Sequence, residues 1–376
     1  MIKVLYVLND TIKYGGTEAV VLNYYNHMDR NEISIDFMIH TTIEEAESNE
    51  RVRALKATGA KVFVVTPRRI SVSRNIKEIR NILANNKYDI VHSHCDSVNY
   101  LILKLAKKAG IKVRISHSHN TAVPVRKDSY KDYLHDIYLY YCRTMIRYAA
   151  TDYMACSKEA AEWLHGRNTV NDNYILKNAI DTERYKYDKA IRDEIRKALD
   201  IHDDEIVIGN VGAFRGQKNH IFLLKLFSKL NMENSKYRLL LVGDGELRSD
   251  IEEYAYEYGI GDKVIIYGET SFTQKLYQGM DVFVFPSLFE GLSVALIEAQ
   301  CSGLKCLVND IPQISKESFL TDEITSLECG NLNIWTDAIL NCNYNTRQSY
   351  SEVISEKGYD IVVQAKKLEE YYKSKV

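Results

Sequence analysis

The sequence predicts an α/β protein made of two open sheets of parallel strands. Three observations predict it. Strand-like and helix-like segments alternate through the first half of the chain, the same alternation restarts in the second half, and a polar, charged stretch at 178–188 separates the two. A length of 376 residues exceeds one ordinary hydrophobic core and fits two domains.

In the first half, strand-like runs fall at 3–8, 33–39, 61–65, 89–92, 112–116, 152–155 and 173–176. Helical spacing marks 17–28, 76–85 and 97–108 between them. In the second half, strands are expected at 206–211, 237–242, 263–267, 282–285 and 305–308, with helices between, and the chain reads as helical from about 350. The expected division is 1–180 and 181–359. Two such sheets facing each other leave a central cleft at the C-terminal ends of their strands, where ligands of open α/β sheets bind.

Composition narrows the class. Hydrophobic content of 45% with 27% charged residues is that of a globular protein, and no apolar run reaches the length of a membrane span. The chain opens directly on a strand-like run, so a cytoplasmic location is expected. Seven scattered cysteines, odd in number and without a Cys-x-x-Cys pair, argue against a disulfide framework or a zinc knuckle. The net charge of -2 divides into +6 over residues 1–185 and -8 over the remainder. A basic first half suits an anionic partner such as a lipid headgroup layer, although scatter of surface charge gives the same figure. Of 27 tyrosines, several cluster at 130–141 on an amphipathic helical pattern, which suits a lipid surface or a sugar as well as a biased composition.

The most informative stretch is Phe285-Pro286-Ser287-Leu288-Phe289-Glu290-Gly291-Leu292-Ser293-Val294, followed by Glu298. It reads as a strand, a short loop and a helix start, with Glu290 in the loop and Glu298 in the second helical turn. A helix N-terminus attracts anions, and Gly291 allows close backbone approach. Carboxylates on both sides of a bound phosphate would repel it, so Glu290 and Glu298 are expected to accept hydrogen bonds from neutral hydroxyls. A phosphate flanked by hydroxyl-rich groups describes a nucleotide sugar.

Other motifs sit at strand ends. Gly15-Gly16-Thr17-Glu18 precedes a helix and can present amides to a phosphate. Gly212-Ala213-Phe214-Arg215-Gly216-Gln217-Lys218 places two cations at a strand-to-helix turn, suited to neutralising a diphosphate. His92-Ser93-His94 and His117-Ser118-His119 are expected to follow strands. Without matching His or Asp ligands later in the chain, local hydrogen bonding around loop backbone fits His92, His94 and His117 better than a metal, and His119 suits a sugar hydroxyl. Gly243-Asp244-Gly245 reads as a plain turn, and no Asp-x-Asp pair offers a divalent-metal handle.

Together these residues resemble a retaining glycosyltransferase of family 4. The resemblance spans nearly the whole chain and is carried by Glu290-x7-Glu298 with the preceding Met280-Asp281, by Gly15-Gly16-Thr17-Glu18, Lys177-Asn178-Ala179-Ile180-Asp181, Gln217-Lys218-Asn219 and Val242-Gly243-Asp244-Gly245. It implies the GT-B fold of two Rossmann-like domains, with the final helix, about 360–376, crossing back to the first. It implies that Glu290 binds donor-sugar hydroxyls, Glu298 the ribose and Lys218 the diphosphate. The Gly16 amide would face the diphosphate, and His119 would lie beside the transferred sugar. Gly15, Arg215, Gly291, Leu292, Ser293 and Val294 complete the expected donor site. Ala213 departs from the family's arginine, with Arg215 two residues later; Ser293 and Ala179 replace its usual proline and glycine.

The expected activity is transfer of a hexose from a nucleotide sugar, UDP-linked, to a glycan or lipid-linked glycan in bacterial surface polysaccharide synthesis. It needs no cofactor and no metal, and a peripheral contact with the inner face of the membrane goes with such an acceptor. Retention is what the resemblance implies; no residue stands out as a covalent nucleophile, which favours a front-face mechanism. A nucleotide-sugar epimerase on the same scaffold and a non-catalytic sugar-binding assembly subunit remain alternatives, with a metal hydrolase built on the histidine pairs behind them.

Overall fold

The computed structural model describes all residues except 122–129 and 345, and gives the backbone alone for 130–132. The chain forms two units, one of residues 1–178 and 362–376 and one of residues 179–361.

The first unit runs β1 (Ile2–Leu8), α1 (Gly16–His27), β2 (Ile33–His40), α2 (Ile43–Ser48), α3 (Glu50–Ala57), β3 (Val62–Val65), α4 (Val72–Asn85), β4 (Ile90–His94), α5 (Asn99–Lys108), β5 (Val113–Ser118), α6 (Tyr130–Met145), β6 (Asp152–Ala155), α7 (Lys158–His165) and β7 (Asn173–Ile175). Its strands pair in parallel in the order β3-β2-β1-β4-β5-β6-β7. The central strands are buried along almost their whole length, as a parallel sheet with both faces covered requires. Helix starts are fixed by side chains: the Ser71 and Ser157 hydroxyls accept from Arg74 N–H and Ala160 N–H.

The second unit runs α8 (Lys189–Ala198), β8 (Ile206–Val211), α9 (His220–Glu233), β9 (Tyr237–Val242), α10 (Arg248–Glu257), β10 (Val264–Gly268), α11 (Thr273–Gly279), β11 (Val282–Phe285), α12 (Val294–Cys301), β12 (Lys305–Asn309), β13 (Ile324–Leu327), α13 (Leu332–Leu340) and α14 (Ser351–Ile354). Its strands pair in parallel in the order β10-β9-β8-β11-β12-β13. Leu223, Phe227, Leu239, Leu241, Val284 and Trp335 form the centre of its core.

Two sequence expectations are corrected. Strand β13 was not foreseen: it is four residues long, lies at the sheet edge and is half exposed, so it carries almost no apolar pattern. The expected continuous C-terminal helix is broken at Gly358, whose φ of 82° no helix accommodates. Beyond that break α15 (Ile361–Lys373) belongs to the first unit, where the Tyr372 hydroxyl meets that of Tyr6 at 2.9 Å and Tyr371 donates to Asp152 at 2.9 Å.

Both sheets reverse their winding at an inner pair, β1/β4 in the first and β8/β11 in the second. The crevice beyond the carboxyl ends of such a pair is where open α/β sheets bind ligands. Gly15 and Gly16 follow β1, and His94 ends β4; Gly212 to Lys218 follow β8, and Pro286 to Glu290 follow β11.

Candidate active site

In the second unit, the turn after β8 and the loop after β11 are laced together. Leu288 N–H donates to Gln217 O at 2.8 Å, Gln217 Nε2 donates to Phe289 O at 2.8 Å, and Asn219 Nδ2 donates to Pro286 O at 3.3 Å. Asn219 takes a left-handed conformation, φ 55° and ψ 43°, as it hands the chain to α9. Glu290 N–H is held by Gln313 O at 2.9 Å. This frame brings Lys218 Nζ to 2.7 Å from Glu290 Oε1, with the ammonium 4.9 Å from the Phe285 ring centroid. The lysine stem runs over Gly212, where a Cβ would lie 2.8 Å from Lys218 Cε, so a side chain there would displace the lysine.

This pairing departs from the expectation that Glu290 meets only neutral hydroxyls. The lacing of 217–219 to 286–290 brings the ammonium against the carboxylate, and the pair is only partly exposed. Arg215 is exposed at the same turn. Leu292, Ser293 and Val294 are buried at the start of α12, and the Ser293 side chain makes no capping bond there.

Glu298, in the second turn of α12, is buried and takes two hydroxyls: Tyr185 donates to Oε1 at 2.6 Å and Tyr277 to Oε2 at 3.0 Å. Burial pushes its carboxyl up to about 7, and the two tyrosine hydroxyls act in the opposite direction. Neither tyrosine was singled out in the sequence, because Tyr185 lies in the polar inter-unit stretch and Tyr277 is one apolar position among many.

In the first unit, Gly15 caps α1 and Gly16 begins it. Three of the four histidines lie in strands and not after them: His92 and His94 end β4 and His117 lies within β5, while His119 follows β5 as expected. Nor do they serve loop backbone. His92 Nε2 and His117 Nδ1 are 3.0 Å apart with rings 13° from parallel, and His94 Nδ1 and His119 Nε2 are 2.9 Å apart. These two head-to-head pairs stack on one another, with centroids 4.2 Å apart for His92/His94 and 4.1 Å for His117/His119. The reason is register: side chains two apart on one strand share a face, and two neighbouring parallel strands supply four rings. His92, His94 and His117 bring ring nitrogens within 4.8 Å of one another, but the facing nitrogens of His92 and His117 are engaged in their mutual hydrogen bond. Burial holds all four well below the usual imidazole range, His119 at about 3. Asp96, also unforeseen, fixes the corner beyond β5 by accepting from His119 N–H at 3.0 Å and Asn120 Nδ2 at 2.6 Å.

Two doubly wound parallel sheets, with an amide- and cation-bearing turn at the switch point of the second, define a GT-B protein. Residues 14–184 match Glycosyltransferase Family 4 and residues 191–323 match Glycosyl transferases group 1. The chain belongs to glycosyltransferase family 4. It is 32% identical over 368 residues to the protein named "Putative glycosyltransferase EpsF" of Bacillus subtilis (strain 168), covering 95% of this chain and 93% of that one. It is 25% identical to the Escherichia coli UDP-Gal:alpha-D-GlcNAc-diphosphoundecaprenol alpha-1,3-galactosyltransferase, covering 81% of each. Among solved structures, Anabaena Alr3699/HepE in complex with UDP-glucose shares the fold with a TM-score of 0.78 at 14% identity over 100% of both chains.

Proposed function

We propose that the protein moves a hexose from a UDP-sugar to a hydroxyl of a glycan or lipid-linked glycan, with retention at the anomeric carbon, in the synthesis of a bacterial surface polysaccharide. The observation that carries this reading is the Lys218–Glu290 pair at the β8/β11 switch point, beside the start of α12. A carboxylate to accept sugar hydroxyls and a cation to receive a diphosphate are there held as one unit. The printed names of relatives support the class of substrate: one acts with UDP-galactose on a diphosphoundecaprenol-linked sugar, and CapH of Staphylococcus aureus, 24% identical over 100% of this chain and 99% of that one, belongs to capsular polysaccharide biosynthesis.

On this reading the diphosphate competes with Glu290 for Lys218 and lies toward the positive end of α12, with Arg215 as a second, exposed cation. The bond from the anomeric carbon to the phosphate oxygen breaks as the bond to the acceptor oxygen forms on the same face. The acceptor proton passes to the departing diphosphate. Lys218 stabilises the charge that develops there, and Glu290, released from it, accepts hydroxyls of the sugar. No resident metal or cofactor is part of the proposal.

A lipid-borne acceptor is favoured by α6, where Tyr133, Tyr140 and Tyr141 are exposed and Arg143 lies over the Tyr140 ring; the side chains of the cluster's first residues, 130–132, lie outside the described ones. Among the described residues no helix is long and apolar enough to cross a membrane; the proposed contact is a peripheral one. The deciding assay is release of UDP from a panel of UDP-sugars, with and without lipid-linked glycans, by the native chain and Glu290→Ala. Release from one donor that disappears in the variant is expected. Absence of both binding and release across the panel overturns the reading.

A further inference from the structure

The geometry points to Tyr185 and Tyr277 as positioning residues that keep Glu298 ionised and aimed, leaving it two free acceptor sites for the vicinal diol of a ribose. The inference rests on the reading that Glu298 receives the donor's ribose.

The hydrogen-bond directions are determined by the neighbours. Thr273 Oγ1 lies 3.0 Å from the Tyr185 oxygen, so the threonine proton can go to Tyr185 and the Tyr185 proton to Glu298. The Tyr277 hydroxyl has one proton and two acceptors, Glu298 Oε2 at 3.0 Å and Ala295 O at 3.1 Å. An ionised Glu298 draws both tyrosine protons; a protonated one loses an acceptor and releases Tyr277 to Ala295. A carboxylate offers about four lone-pair positions, of which the tyrosines take two. Two remain, enough for two adjacent hydroxyls.

Among the described residues no cation is hydrogen-bonded to Glu298. Arg184 is the charge that acts on it, and its Nη2 donates to Ser271 O at 3.2 Å. Among the other groups packed around α12, Cys301 lies further along the same helix, Cys306 of β12 acts on Tyr277, and Glu352 of α14 is exposed. The carboxylate is therefore held against burial almost entirely by neutral hydroxyls, and its midpoint of about 7 lies in the working range of a cell. Removing a hydroxyl that favours the charged form raises that midpoint.

The test is titration of the Glu298 carboxyl by carbon-13 NMR of labelled glutamate in the full chain, assigned with Glu298→Gln, in the native protein, Tyr185→Phe and Tyr277→Phe. A hydrogen bond to a charged group is worth about 1.5–3 kcal/mol, so each variant is expected to titrate about one to two pH units higher. Thr273→Val gives a smaller upward shift without touching either tyrosine. Calorimetry with UDP and with 2′,3′-dideoxy-UDP gives the second readout. UDP affinity should fall as pH drops through the native midpoint, at a higher pH in the Phe variants, and the dideoxy compound, whose terminal phosphate titrates alike at about pH 6, should show no such variant-dependent shift. Unmoved midpoints in both folded Phe variants overturn the positioning role. Shifted midpoints without UDP binding leave the clamp standing and overturn the donor reading instead.

Discussion

Lys218 Nζ and Glu290 Oε1 sit 2.7 Å apart across 72 residues of sequence, and the pair closes the switch point of the second sheet. Each charge is the other's direct partner, and both side chains are mostly withdrawn from water. Lys218→Ala removes the stabiliser of the leaving group and is expected to lower kcat by about a hundred- to thousandfold, or about 2.7–4 kcal/mol of barrier. Because Glu290→Ala disables the same unit, the double variant should lose much less than the product of the two single losses. Steady-state kinetics of the three variants checks this, and independent, multiplying losses would separate the two residues.

The first unit should weaken in mild acid. Burial lowers His40 and His165 to about 4 and His119 to about 3, and holds His92, His94 and His117 well below their ordinary value. Between these low folded-state values and the unfolded value of about 6.5, the unfolded chain binds protons that the folded chain does not. Stability is therefore complete above about pH 6.5 and falls as pH drops, by up to about 1.4 kcal/mol per pH unit for each such histidine. Native-state hydrogen exchange of β4 and β5 amides at pH 7.5 and 5.5 measures the loss. In the second unit Glu298, whose folded-state value is raised, acts in the opposite sense to His220, which burial lowers to about 4, so that unit should respond less. Equal protection of β4 and β5 at both pH values would refute the account.

Arg347 is expected to matter for stability as much as any residue at the candidate site. It is half-buried, lies over the Tyr187 ring at 4.4 Å and donates to Tyr277 O, Gln278 O, Met280 O and Ser302 O at 2.8–3.0 Å. Burial brings its guanidinium down to about 9. Its segment reaches this position because Gly303, at φ 73°, lacks a Cβ that would lie 1.9 Å from Gln348 O. Arg192 also donates to Gln278 O and Met280 O, and Met280 N–H donates to Tyr277 O at 3.3 Å, so Arg347→Met strands mainly Ser302 O. A loss of about 1–3 kcal/mol per stranded carbonyl is expected in urea unfolding. An unchanged midpoint would show that water replaces the guanidinium.

The alternation of strands and helices was readable because buried parallel strands are continuous apolar runs, and 206–211, 237–242 and 282–285 match β8, β9 and β11 residue for residue. The edge strand β13 and the break at Gly358 were not readable. One has no apolar pattern of its own, and the other depends on a single backbone angle. Asp281 was visible only as part of a motif. The structure gives it physical work, since it binds Arg192 and Arg196 and accepts from Val207 N–H at 2.7 Å, joining α8 to the strand beside β11.

By itself the sequence determined the class of this protein: where strands end, where helices begin, and that glycines, two cations and two carboxylates stand at those junctions. These are local properties, set by apolar periodicity and turn chemistry. Tertiary structure alone decided the partners. Lys218 meets Glu290, Glu298 meets Tyr185 and Tyr277, and four histidines stack as two hydrogen-bonded pairs. Such pairings follow from strand order and register between segments far apart in the chain, and no spacing along one segment encodes them.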